Sequence, residues 1–356
     1  MKKVIIIIIL ILIIILLSNT KVKEETFSKE TRSIFISYIE LSKYLKNKSI
    51  EESKTNINNM ISNIKKTNIN TIILQVRSNQ DSIYLNSIFP HSTYINDEFD
   101  SLDYFIKESH SNNIKLIAWI NPYRVSTTNT INNNIKESES YKYINNNTYT
   151  SNGIYLIPSK SEELVLKGID EVLKYDIDGI LFDDYFYQTD IDENPEDVIN
   201  KLVLKVHKKC KKKNVLFGIS PDGNIENNYN KHKIDVGLWM SSNKYIDFIM
   251  PQIYYGFYNS TKDYVNVVKE WENLLKTDKV KLLIALAFYK VGIEDHYAKD
   301  GRDEWINNND IIMREVILSR NLKNYEGFAL FRYDSVFDNY TNTSQEELEN
   351  LKNIIK

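Results

Sequence analysis

The stretch Asp178-Gly179-Ile180-Leu181-Phe182-Asp183-Asp184-Tyr185-Phe186-Tyr187 runs a short apolar segment into two adjacent acids, with three aromatic residues directly behind them. Paired carboxylates are what general acid/base catalysis needs, or a nucleophile with an acid partner. Where a strand of a parallel sheet ends, the loop is free to vary while the sheet holds its base still, and active sites collect there. The structural alternative is that Asp183 caps a helix and Asp184 is simply solvated. The neighbours of this strand decide between the two.

Those neighbours follow from the rest of the chain. Apolar strand-like runs alternate with amphipathic helical runs, the signature of βα units around a parallel sheet. Strands are predicted at Ile34–Ser37, Thr71–Val76, Lys115–Ile120, Gly179–Asp183, Val215–Ile219, Phe248–Ile253, Leu282–Leu286 and Gly327–Phe331. Between them, Ile57, Met60, Ile61 and Ile64 have helical spacing, as do Leu164, Val165, Ile169, Val172 and Leu173, and Val198, Ile199, Leu202, Val203 and Val206. Ser159 with Glu162, and Ser344 with Glu347, have the spacing of capping boxes. Eight such repeats over residues 32–356 match an α/β fold of the (β/α)8 TIM-barrel type, with no composition break that would mark a second domain. The Asn-, Thr- and Ser-rich stretch between Ser126 and Ser151 is too long for an ordinary connector and is expected to be a functional lid or disordered.

In such a barrel the carboxyl ends of all the strands face one site. They supply Gln75 and Arg77, followed by Asp81 and Tyr84; Trp119, Asn121, Tyr123 and Arg124; Asp183, Asp184, Tyr185 and Tyr187; Asp222; Gln252, Tyr254 and Tyr255; Tyr289; and Arg332, Tyr333 and Asp334. Amides, carboxylates, guanidinium groups and rings suit a carbohydrate, whose hydroxyls need planar polar partners and whose C–H faces lie against aromatics. If Leu181 faces the barrel axis, period two turns Asp183 inward as well and Asp184 toward the helices. Asp81, Asp222 and Asp334 are all placed to act as the partner acid.

Other chemistries lack their residues. The five histidines form no H-x-H or H-E-x-x-H pair, so no zinc hydrolase is expected, and no metal or cofactor. No G-x-S-x-G elbow, P-loop or G-x-G-x-x-G is present. Cys210 is the single cysteine, which excludes an intramolecular disulfide. A net charge of -3 gives no reason to expect a nucleic-acid partner. At the N-terminus, Met1-Lys2-Lys3 precedes the unbroken apolar segment Val4–Leu17. As a helix this segment spans about 21 Å, short of the roughly 30 Å hydrocarbon core. Residues 1–20 therefore read as a secretory signal, or as a signal anchor that is the protein's only membrane contact if it stays uncleaved. A polar linker follows over residues 21–31, and the body is expected to act extracytoplasmically.

The chain also resembles the glycosyl-hydrolase-like family 10 proteins of bacterial cell envelopes, the YngK-like and YddW-like proteins. The motifs that carry the resemblance are Gln75-Val76-Arg77 with Asp81-Ser82-Ile83-Tyr84, Ala118-Trp119-Ile120-Asn121-Pro122-Tyr123-Arg124-Val125, Tyr175 to Ile180 with Phe182 to Tyr187, Phe217 to Pro221, and Pro251-Gln252-Ile253-Tyr254. They occur in the family's order over residues 32–290. The resemblance implies a TIM barrel acting on bacterial glycan, with peptidoglycan strands as substrate. The chain departs from the family pattern at Leu181, where His is usual, at Gln188, where Pro is usual, and in lacking a Trp-Arg-Arg tract between Gln188 and Val198. The resulting expectation is a glycoside hydrolase with Asp183 and Asp184 catalytic. Gln75, Arg77, Asp81, Tyr84, Trp119, Asn121, Tyr123, Arg124, Tyr185, Tyr187, Gln252 and Tyr254 would bind the sugar. A non-catalytic glycan-binding barrel and a glycan lyase are the alternatives.

Overall fold

The apolar runs pair into a parallel sheet that closes on itself. The structure is a computed structural model that describes residues 30–183, 186–187, 191–338 and 341–355; the N-terminal apolar segment and most of the linker lie outside the described residues. The barrel strands are β1 (Thr31–Ile36), β2 (Thr71–Arg77), β3 (Lys115–Ile120), β4 (Gly179–Asp183), β5 (Leu216–Ser220), β6 (Phe248–Ile249), β7 (Lys281–Leu286) and β8 (Tyr325–Leu330). Each pairs in parallel with the next, and β8 closes on β1. The predicted (β/α)8 architecture is therefore the observed one. Strand β6 is shorter than its apolar run implies, because past Ile249 the chain continues as single bridges from Gln252 to Asp222 and to Ala285.

Alternation of side chains splits the apolar residues into two sets. Phe35, Ile73, Ile117, Trp119, Leu181, Leu216, Phe248, Met250, Leu283, Ala285 and Ala329 fill the inside of the barrel, whereas the larger set packs between strands and helices. The interior has no spare room at β5. A Cβ on Gly218 would come within 2.3 Å of the Phe248 ring, so glycine is what allows that ring inside.

The helices bury the stripes that their sequences present: Ile57, Met60, Ile61 and Ile64 on Ile50–Lys66, and Leu164, Val165, Ile169 and Val172 on Pro158–Val172. The Ser159/Glu162 capping box does not form. Pro158 already occupies the first helical position, where its missing N–H costs nothing, and Ser161 turns its hydroxyl back to the Ile157 carbonyl at 2.6 Å. The final helix, Asn342–Ile354, is capped by Thr341 and Ser344. Glu347 instead accepts from the Ile311 and Met313 N–H groups at 2.8 and 3.1 Å, capping a different helix, Ile311–Ser319. The Asn-rich stretch is ordered. Arg124–Ser126, Thr148–Thr150 and Ile154–Leu156 form a small antiparallel sheet, and the short helices Asn133–Glu137 and Tyr141–Ile144 anchor through buried Ile135 and Ile144.

A costly arrangement lies on helices Ile311–Ser319 and Asn342–Ile354. Glu315 is fully buried, and neither of its carboxyl oxygens has a hydrogen-bond partner among the described residues. Burial pushes its pKa well above the ordinary 4.5, with the nearby Glu347 and Glu304 charges adding to the rise. Burial likewise pushes Glu347 up to about 7. Both groups hold protons in the folded state that the unfolded chain releases near 4.5, so their contribution to stability is complete below that value. It declines as pH rises toward and through the raised values. Glu315→Met, which removes the unpaired acid at similar volume, is expected to raise stability at pH 8 by about 1–3 kcal/mol and to flatten its fall from pH 5 to 8. Urea unfolding across that range measures both. An unchanged pH slope would contradict the assignment.

Candidate active site

The carboxyl ends of β1, β2, β3, β4, β6 and β8 surround a cavity of about 400 Å³, lined by Ser37, Tyr38, Ile39, Gln75, Trp119, Arg124, Asp183, Gln252, Tyr254, Phe331 and Arg332. Its floor is the top of the barrel interior. Phe35 meets Trp119 and Phe331 edge-on at 5.3 and 5.4 Å, and Tyr254 lies 5.7 Å from Phe331.

Asp183 stands in this wall because β4 alternates without interruption: Leu181 is inside the barrel and Asp183 follows it inward, as parity predicts. The Gln252 amide donates to Asp183 Oδ1 at 2.6 Å while also facing the Ser220 carbonyl at 3.3 Å. On the other side, Asn121 Nδ2 donates to the Asp183 carbonyl at 3.3 Å. Asn121 Oδ1 in turn accepts from Gln75 Nε2 and from Arg124 Nη2, the latter at 3.2 Å. Gln75 Oε1 accepts the Tyr38 N–H at 2.8 Å. One belt of side-chain amides therefore runs from the end of β1 across β2, β3 and β4 to the segment after β6. Gln75 and Asn121 fix each other's orientation up to the Asp183 backbone carbonyl, and Gln252 holds the Asp183 carboxylate.

Two guanidinium groups share the rim. Arg124 donates through Nε to the Ser78 carbonyl at 3.0 Å and lies 5.9 Å from the Tyr38 ring centre. Arg332 donates to Asp334 Oδ2 at 2.7 Å and to Ser37 Oγ at 3.1 Å, with Glu40 Oε1 at 3.3 Å. Burial raises the Glu40 pKa, opposed by its bonds from Ser37 and by the Arg332 charge.

Of the residues expected from the sequence, Gln75, Trp119, Arg124, Asp183, Gln252 and Tyr254 line the cavity, and Asn121 braces it from behind. Asp184 and Tyr185 lie outside the described residues. Arg77 does not reach the cavity. Between Gln75 and Arg77 the pairing with β3 slips by one, so that Arg77 falls opposite Ile120, on the helix-facing side. Its guanidinium lies 3.5 Å from the Phe89 ring centre, donates to Gln80 Oε1 at 2.8 Å, and occupies the space beside Gly168 that a Cβ would fill. Tyr84 is also buried in the helix layer, bonded to Glu171. Tyr123 sits in the outer core, and Tyr187 is buried with its hydroxyl on Asp192 at 2.6 Å.

Asp81 lines a neighbouring cavity, its carboxylate taken up by Ser78, Asn79 and Ser92. Asp222 is engaged by Asn224, Asn227 and His232. Burial would raise its pKa, but these partners hold it below the ordinary value. Asp334 is paired with Arg332. Among the described residues, Asp183 is thus the carboxylate that lines the cavity. Sequence reading passed over Ser37, Tyr38 and Phe331. The available signal was position, since Tyr38 directly follows the first predicted strand.

The chain belongs to the glycosyl hydrolase-like 10 family, whose model matches residues 30–194 and 193–302. It is 26% identical over 332 residues to the glycosyl hydrolase YngK of Bacillus subtilis (strain 168), covering 80% of this chain and 64% of that protein. It thus spans less than two thirds of that relative. It is also 26% identical over 320 residues to the glycosyl hydrolase DigH of Escherichia coli (strain K12), covering 73% of this chain and 71% of that protein. Among solved structures, the glycoside hydrolase domain of PgaB (BpsB) from Bordetella bronchiseptica superposes with a TM-score of 0.55 at 11% identity, over 92% of this chain and 99% of that one. The endo-1,4-beta-mannanase of Rhizomucor miehei gives 0.54 at 14% identity, over 92% and 94%. At these identities the structural likenesses show the barrel fold alone.

The placement of Arg77 has a direct consequence. Arg77→Ala leaves a void against Phe89 and Gly168 and strands Gln80 Oε1, and it is expected to cost about 2–4 kcal/mol of stability, read by urea unfolding. A loss under about 1 kcal/mol, the usual effect of a surface change, would contradict a buried structural role.

Proposed function

We propose that this protein is a glycoside hydrolase that acts outside the cytoplasmic membrane on the glycan strands of bacterial peptidoglycan. The observation that carries the reading is the Asp183 carboxylate, fixed by Gln252 in an aromatic-floored cleft at the carboxyl end of the barrel. An Asp held in one rotamer beside apolar rings can meet a glycosidic oxygen whose sugar lies with its C–H face on those rings. Asp184, its neighbour in sequence, is the candidate to orient Asp183 or to share its role, and the two acids are tested separately. Family membership and the names of the two relatives support glycosidic chemistry. The charged start and apolar run of residues 2–17 support export. A polymer exposed on that side of a bacterial membrane is the wall glycan.

The chemistry divides by geometry. A separation of about 5–5.5 Å between the two carboxyl groups makes one a nucleophile and the reaction retaining, whereas roughly 6.5–9.5 Å leaves room for a water and gives inversion. Gln252 contributes by donating to Asp183 Oδ1, which fixes the orientation of that carboxyl group without taking or giving its proton.

The test uses the full chain on intact peptidoglycan and on glycan strands stripped of stem peptides, with soluble sugar release as the readout. Asp183→Asn and Asp184→Asn are each expected to lower turnover by about 10²–10⁴-fold, with the fold retained by circular dichroism. Strand binding by the unaltered protein with no release would overturn the hydrolase in favour of a glycan-binding barrel. Unsaturated or anhydro product ends would identify a lyase.

A further inference from the structure

We propose that the cleft continues past Asp183, over Tyr38, into a second binding region for the same polymer, so that the enzyme takes a glycan strand and not an isolated disaccharide. This rests on the glycan reading above and specifies the form of its substrate.

A second cavity, of about 510 Å³, opens at the same end of the barrel and shares Tyr38 and Ile39 with the cavity that holds Asp183. Both lie within the roughly 300–1,000 Å³ range of ligand sites. The second is walled by the helix after β1, the loop after β2 and the Asn-rich insertion after β3.

Its residues can bind a sugar but are not set up to cleave one. The acid in the wall, Asp81, is consumed by the Ser78 and Asn79 N–H groups and the Ser92 hydroxyl. The base in the wall, Lys43, is paired with Asp338 at 2.9 Å. What remains is amide and ring. Asn79 Oδ1 is buried at the cavity with no hydrogen-bond partner among the described residues. Asn132 occupies the N-cap position of Asn133–Glu137 yet makes no capping bond with its side chain, although capping is what an asparagine there ordinarily does. Both amides are therefore available to sugar hydroxyls. Tyr94 adds a ring, and Ile39, 45% exposed at the junction, gives an apolar ridge between the two cavities.

The junction is also tied to the reacting centre. The Tyr38 N–H is held by Gln75, whose amide binds Asn121, which binds the Asp183 backbone. A strand lying across Tyr38 is thereby held in register with Asp183.

The experiment measures strand length against affinity and turnover, using the full chain and stem-free peptidoglycan oligomers. Asp183→Asn protein is titrated with a disaccharide unit and with long strands, and unaltered protein is assayed on both. Strands are expected to bind more tightly than the disaccharide. Asn79→Ala combined with Asn132→Ala is expected to weaken strand binding by roughly tenfold, the worth of about two hydrogen bonds, and to lower the strand-to-disaccharide ratio of kcat/KM through KM. Should the double variant unfold, Asn132→Ala alone, at an exposed helix end, carries the test. Cleavage with equal affinity for both lengths, or a double variant whose ratio does not move, would overturn the second region while leaving the hydrolase standing. Failure to bind or cleave glycan of any length would remove the glycan reading itself and this inference with it.

Discussion

Closure of eight parallel strands fixes which residue of every pair points at the axis, and the candidate site inherits that constraint. Because β4 alternates cleanly, the inward position of Leu181 commits Asp183 to the cleft. Because the β2–β3 pairing slips by one after Gln75, Arg77 is committed to the helix layer instead. The two residues each end a barrel strand, are ionisable, and belong to motifs of equal apparent weight. Register alone gives one a place in the cleft wall and the other a place under helix Pro158–Val172.

The same constraint explains how far the sequence could be read. All eight strands were visible as apolar runs, since a strand covered on both faces cannot hide its composition. The inward acid and the strand-end positions of Gln75, Asn121 and Gln252 followed from placing those strands in one barrel. What could not be read is local. A one-residue slip leaves no mark in composition, so Arg77 and the Tyr84 that follows it were assigned to the site. Tyr123 and Tyr187 show the limit of using residue type, because a tyrosine near a strand end can bury its ring in the outer core and bond its hydroxyl locally, as Tyr187 does with Asp192. Glu347 shows the limit of spacing: it sits where a capping box would place it and caps another helix. The Asn-rich insertion reads equally as a functional lid or as disordered, because Ile135 and Ile144, its anchors, are too few to give a period, and only disorder is ruled out.

Site and scaffold also differ in how their polar groups are satisfied. Around Asp183 each amide of the belt finds a partner, linking the ends of four strands to the segment after β6. At the rim, the Arg332 charge is balanced by Asp334 and the buried Glu40. In the helix layer, Glu315 is buried with no hydrogen-bond partner for its carboxyl group among the described residues, and burial raises its pKa well above the ordinary value. The belt arranges polar groups in advance where chemistry is proposed, as expected if it serves to fix one carboxylate before a reaction.

If the glycan is cut at Asp183, as proposed above, a crystal structure of Asp183→Asn protein soaked with a stem-free glycan strand will show it. The expected result is a glycosidic oxygen within hydrogen-bonding distance of residue 183, with a sugar ring on the Trp119, Tyr254 and Phe331 floor and the strand leaving over Tyr38. A strand bound elsewhere on the barrel, or one whose linkages all lie beyond reach of residue 183, would contradict it.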